Sequence, residues 1–193
     1  MLSDSVRNNQ IDVSQLLRRW EMKSLDLFKR HSRIPTISLE EFRSDFPVHG
    51  HWLTMAALNS SAFRMNFKVF FTTQQGAPFC SSIFKKTAPD VNSEQLNDFT
   101  KELCNLVIGH IKYDFEKQHV SCAASLPICL RSFDNLFFTK NKANQLHEVY
   151  WKFKHENSEI MCLLSMEILD ETLFQRFDGS FDTTVKDGGF ELL

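Results

Sequence analysis

Residues 94–115 read EQLNDFTKELCNLVIGHIKYDF. At about 100° per residue with Leu96 at zero, Phe99, Leu103, Leu106, Val107, His110 and Ile111 fall within roughly 80° of that reference. The spacing predicts one long amphipathic helix with a core stripe. Asn92 or Ser93 can cap its start, with Glu94 and Gln95 in the first turn, and the helix is expected to run to about Phe115. On the far face Asn105 falls at about 180°, Gly109 at about 220° and Glu102 at about 240°. A glycine inside a helix costs about 1 kcal/mol against alanine. On an exposed face no packing offsets that cost, but a second molecule lying close to the backbone would explain it. Taken alone, the Glu-x-x-Asn pair also reads as solvated surface. A second one, Glu94 and Asn97, stands at the helix start, where Glu94 is ordinary first-turn dipole chemistry.

Upstream, Asp12 with Gln15 three residues later marks a helix start. Val13, Leu16, Leu17, Trp20, Leu27 and Phe28 recur at helical spacing against Arg18, Arg19, Lys23 and Asp26. A short helix is expected in SLEEFRSDF, residues 38–46. WLTMAAL (52–58) and AFRMNFKVFF (62–71) then read as a strand pair. In the second, Phe63, Met65, Phe67, Val69 and Phe71 alternate with polar residues. TTQQGAP breaks that strand, and FCSSIFKK (79–86) reads as a short helix.

Downstream, HVSCAASLPICLRS (119–132) reads as two short extended pieces interrupted by Pro127. HEVYWKFK (147–154) and EIMCLLSMEIL (159–169) read as strands around the turn HENS. Consecutive strands with two long helices predict an α+β domain, an antiparallel sheet with both helices packed on it. The expected domain spans 10–170, with 171–193 as a weakly patterned tail or appendage.

The net charge of -2 gives no basic footprint for nucleic acid. No apolar run is long enough for a membrane span, and the N-terminal residues lack the pattern of a signal peptide. The five cysteines show no ligand spacing, which fits a reducing cytoplasm. No metal site is expected: His49 and His51 have no third ligand near in sequence. Neither a Gly-x-Ser-x-Gly elbow nor a Gly-rich phosphate loop is present. The 19 phenylalanines suggest a ring-filled core and a patch that a partner closes.

The stretch ELCNLVIGHIKYDF resembles the signature helix of the CheC/CheX/FliY group of chemotaxis phosphatases, which carries Glu-x-x-Asn and then a glycine. The order of elements around it is similar to the CheX type: an N-terminal helix, a strand pair ending in FKVFF, a short helix, the signature helix, and a strand running into Ser125-Leu126-Pro127. The resemblance covers about residues 10 to 170. His110 stands where the family often has Asn; on the wheel it faces the core side and reads as a structural histidine.

The resemblance implies a CheC/CheX-like fold and an activity: removal of the phosphoryl group from the aspartyl phosphate of a CheY-like receiver domain. Glu102 would dock to the receiver's lysine and Asn105 would hold the attacking water. Gly109, Lys101, Asp98 and Lys112 would form the partner-binding surround. No cofactor of the chain's own is implied, since Mg2+ would come from the receiver. Two alternatives stay open: a non-catalytic module that binds a receiver or another signalling partner, and a homodimer paired through sheet edges.

Overall fold

The computed structural model describes residues 12–42, 51–132 and 146–174. Helix α1 runs Val13–Ser32. The Asp12 carboxylate accepts from the backbone N–H of Ser14 at 2.9 Å and of Gln15 at 3.4 Å, satisfying first-turn donors that have no helical partner. Arg33, in the left-handed region at φ 60°, ends it. Helix α4, Ser93–Lys117, begins with a reciprocal box. Gln95 N–H donates to Asn92 Oδ1 at 2.8 Å, and Asn92 N–H donates to Gln95 Oε1 at 3.3 Å.

The strands are β1 (Ser38–Glu41), β2 (Trp52–Asn59), β3 (Phe63–Phe71), β4 (Ala123–Ala124), β5 (Ile128–Arg131), β6 (Leu146–His155) and β7 (Ser158–Ile168). They form one antiparallel sheet in the order β1-β6-β7-β3-β2-β4, with β5 also pairing β2. The period-two side chains of β3, Phe63 to Phe71, join Trp151, Phe153, Cys162, Leu164 and Met166 in one core with the apolar faces of α1 and α4. The expected α+β class, an antiparallel sheet carrying two long helices, is the observed one. A smaller cluster of Leu53, Phe70 and Leu163 comes from the opposite strand positions.

Short turns link β3 to α4: α2 (Thr73–Gly76), a 3-10 turn at Ala77–Phe79, α3 (Ser81–Phe84) and a second 3-10 turn at Ala88–Asp90. The stretch read as a plain break after β3 is therefore helical in part. Gly76 packs so tightly there that a Cβ would meet Leu96 Cδ2 at 2.9 Å.

One expectation is corrected. Residues 38–41 are a strand, not the start of a helix. The open edge of β6 supplies backbone partners, Leu39 packs on the core, and Glu40 pairs with Lys154. Tertiary pairing overrides a local pattern that reads as helical. The Phe-rich strand β3 is central, between β7 and β2, and its rings are buried. The final described turn, α5 (Glu171–Phe174), buries Phe174 against Phe63. The expectations for 10–11, 43–46, His49 and 175–193 lie outside the described residues. His51 is exposed.

Candidate functional site

The inner face of α4 fixes where its outer face points. Leu96, Phe99, Leu103, Val107, Ile111 and Phe115 are buried as expected, joined by Thr100, Cys104 and Ile108. Leu106 and His110 are only half-buried, so the helix is rolled by roughly 40° from the sequence-derived stripe. The roll has a cause. Thr100 hydrogen-bonds Thr54 of β2 at 2.8 Å, and α1 closes the other flank of α4, where Phe28 and His31 meet Phe99 and Trp20 meets Phe115.

Glu102, Asn105 and Gly109 are all exposed on the outer face. Asn105 Nδ2 donates to Glu102 Oε2 at 3.4 Å. That contact uses an amide donor and leaves the Asn105 carbonyl oxygen available as an acceptor. Among the described residues a Cβ at Gly109 would meet nothing within 4 Å, so none of them requires glycine at this position. Asp98 is exposed and pairs with Lys101 at 3.4 Å; Lys112 pairs with Glu116 at 3.4 Å. Such exposed pairs contribute about 0 to 1 kcal/mol each. They leave both lysines on the same side of the helix as Asn105.

His110 lies beside the strip and turns inward. Its Nε2 is 3.5 Å from Asp114 Oδ2, and Trp20 Nε1 donates to the same oxygen at 3.0 Å. Burial holds the His110 pKa below its ordinary value, while Asp114 pulls it back up. The histidine serves the α1–α4 contact, in line with its structural reading. Cys104, between Glu102 and Asn105 in sequence, is buried on the inner face, and burial pushes its thiol pKa well up. It has no thiolate to offer as a nucleophile.

Sequence reasoning missed two neighbours. His31 stacks on Phe99 with ring centroids 4.3 Å apart, and its Nε2–H donates to the Phe99 carbonyl at 2.9 Å. This ties the end of α1 to the turn of α4 that precedes Glu102. Tyr113, one turn beyond Gly109, is 54% exposed. Its position follows from the spacing Asn105, Gly109, Tyr113, which continues the outer line of α4 at intervals of four.

The sequence matches no protein-family model and no curated protein. The structure does match solved ones. CheX from Vibrio vulnificus aligns with a TM-score of 0.61 at 11% identity, over 79% of this chain and 99% of that one. A CheC-like protein from Shewanella oneidensis aligns with a TM-score of 0.61 at 12% identity, over 82% and 98%. A chain of the CheX-CheY-BeF3-Mg2+ complex from Borrelia burgdorferi aligns with a TM-score of 0.62 at 9% identity, over 78% and 97%. The chain has the CheC/CheX fold. In this CheC/CheX fold, α4 presents the Glu-x-x-Asn strip outward while its other side is locked to the sheet and α1. Among the described residues no helix is long and apolar enough to cross a membrane. Nor does any group of three or more His, Cys, Asp or Glu among them have the geometry to hold a metal ion.

Proposed function

We propose that the protein dephosphorylates the aspartyl phosphate of a CheY-like receiver domain, with α4 inserted at the receiver's phosphorylation site. The carrying observation is the exposure of Glu102 and Asn105 on one long helix, beside a glycine that no contact among the described residues requires. The CheC/CheX fold, shared with a chain of a CheX-CheY complex, supports the choice of partner.

The chemistry suits these side chains. Water attacks phosphorus in line, the P–O bond to the aspartyl carboxylate breaks, and inorganic phosphate leaves with the carboxylate regenerated. The transition state is loose, with charge on the equatorial phosphoryl oxygens, so positioning and charge stabilisation supply most of the rate. The receiver supplies Mg2+ and a lysine for that charge. Asn105 supplies the position: its carbonyl oxygen accepts from the attacking water. Glu102 pairs with the receiver lysine, after releasing the Asn105 amide that it holds in the free protein. Gly109 lets the partner backbone approach, and Asp98, Lys101 and Lys112 line the contact.

The test is phosphate loss from candidate receivers, phosphorylated with acetyl phosphate, with and without the protein. Acceleration that disappears in Asn105→Ala while binding persists supports the reading. Binding without acceleration identifies a non-catalytic receiver-binding module instead, and absence of any binding removes both. Pairing of two copies through the sheet edges, at β1 and at β4 and β5, is tested by sedimentation of the purified protein.

A further inference from the structure

Apolar contacts are non-directional, whereas a hydrogen bond weakens steeply outside a narrow range of distance and angle. Hydrogen bonds across the inner side of α4 therefore hold it along its own axis more narrowly than its apolar contacts do. Two of them meet at one place. From α1, the His31 Nε2–H donates to the Phe99 carbonyl at 2.9 Å, with the imidazole stacked on the Phe99 ring at 4.3 Å and 11° between planes. From β2, Thr54 hydrogen-bonds Thr100 at 2.8 Å, with both residues buried. Adjacent residues of α4 are thus gripped from two different elements. Burial keeps the His31 pKa below its ordinary value, so at neutral pH the ring is uncharged and has one N–H to give. Beyond the polar strip, Trp20 Nε1 donates to Asp114 Oδ2 at 3.0 Å. Glu102, Asn105 and Gly109 lie between these fixed points, with Asn105 about 9 Å along the axis from Phe99 and about 14 Å from Asp114.

Resting on the receiver reading above, we propose that His31 is a positioning residue for Asn105: with Thr100 it fixes the height of α4 at which the amide meets the attacking water. The water has to stand in line with the breaking P–O bond, and a misplacement of about 1 Å can cost a hundredfold in rate. The receiver docks on the outer face, so the height of α4 is set from within the chain. The support behind His31 is itself anchored. Its neighbour Ser32 accepts from Ser82 Oγ of α3 through its carbonyl at 3.3 Å, and Arg33 closes α1 at φ 60°. The residue type also fits this role. A phenylalanine would bury a ring against Phe99 equally well and need no polar partner. What histidine adds is the N–H, and that N–H goes to the α4 backbone one turn before Glu102. Thr100 is 1% exposed and His31 is turned to Phe99, so both act on the reaction through the helix rather than by touching the receiver.

The experiment is single-turnover dephosphorylation of a phosphorylated CheY-like receiver by excess protein, which gives a rate constant at saturation and a half-saturating concentration. His31→Phe keeps the stack and removes the donor. It is expected to lower the saturated rate about tenfold and leave half-saturation unchanged. His31→Gln, whose amide offers an N–H of similar reach, is expected to recover the rate to within about twofold of wild type. Thr100→Val removes the second grip and is expected to lower the saturated rate about fivefold, again without a change in half-saturation. Leu163→Ala destabilises the fold from the opposite face of the sheet and is the control expected to leave both constants unchanged. A wild-type saturated rate in His31→Phe overturns the proposal while leaving the phosphatase reading intact. So does a His31→Gln as slow as His31→Phe, or a Leu163→Ala that loses as much rate as His31→Phe. A His31→Phe that changes half-saturation alone overturns it too, by placing His31 at the receiver contact. A wild type that never accelerates phosphate loss overturns the phosphatase reading and this proposal with it.

Discussion

On the inner side of α4, Phe115 stacks on Phe63 at 4.4 Å and meets Trp20 at 5.3 Å, and Leu96 closes over Gly76. On the outer side, Gly109 has open space among the described residues where a Cβ would stand, and Asn105 hydrogen-bonds its helical neighbour Glu102. Gly76 and Gly109 state the difference most plainly. The first is glycine because its own chain leaves no room. The second has room and still carries no side chain, at a cost in helix propensity that no contact among the described residues offsets. A residue with an internal reason answers to stability. A residue without one points to a reason outside the chain.

Four substitutions break or sharpen that contrast, in falling order of expected effect. Phe115→Ala on the inner face should cost about 3 to 5 kcal/mol of unfolding free energy, read by denaturant titration. A loss under about 1 kcal/mol would mean the α1–α4–sheet core is not packed as described. Asn105→Ala on the outer face should slow receiver dephosphorylation about a hundredfold, while unfolding shifts by less than about 0.5 kcal/mol. Equal damage to stability and activity would place Asn105 in the structural class instead.

Glu21 tests the inner side by pH. It is 2% exposed, and burial, reinforced by Glu41 and opposed by Arg18, raises its pKa to about 7. A folded-state pKa above the ordinary carboxylate value means the fold favours the protonated acid. The stability this group contributes is complete below about pH 4 and is lost as pH rises through about 7. Glu21→Gln should therefore gain about 2 kcal/mol over wild type between about pH 5 and about pH 8, measured as the difference in unfolding free energy. A pH-independent difference would show that the carboxyl is solvated. Smallest in free energy, Gly109→Ala should stabilise the helix by about 1 kcal/mol and yet weaken receiver binding. If it stabilises and binds as well as wild type, the partner does not approach that backbone.

Much of this was legible from residue order. Asp12 and Asn92 announced the two long helices, because a side-chain oxygen must meet the orphan N–H groups of a first turn. The alternation from Phe63 to Phe71 announced a half-buried strand, and the wheel placed Glu102, Asn105 and Gly109 together on the outside. Less legible were β1, whose Ser-Leu-Glu-Glu has little strand character until β6 offers an edge, and the roll of α4. The wheel centred its stripe on Leu96, but contact with two neighbours pulled Thr100, Cys104 and Ile108 inward and left Leu106 on the flank.

The sequence alone determined the periods, the caps and the polar strip, because those depend on residues within a turn or two of one another. Only the tertiary structure decided which edge β1 joins, how far α4 rolls, and that α1 packs along the flank of α4. These depend on surfaces far apart along the chain, whose packing has no local signature in the order of residues.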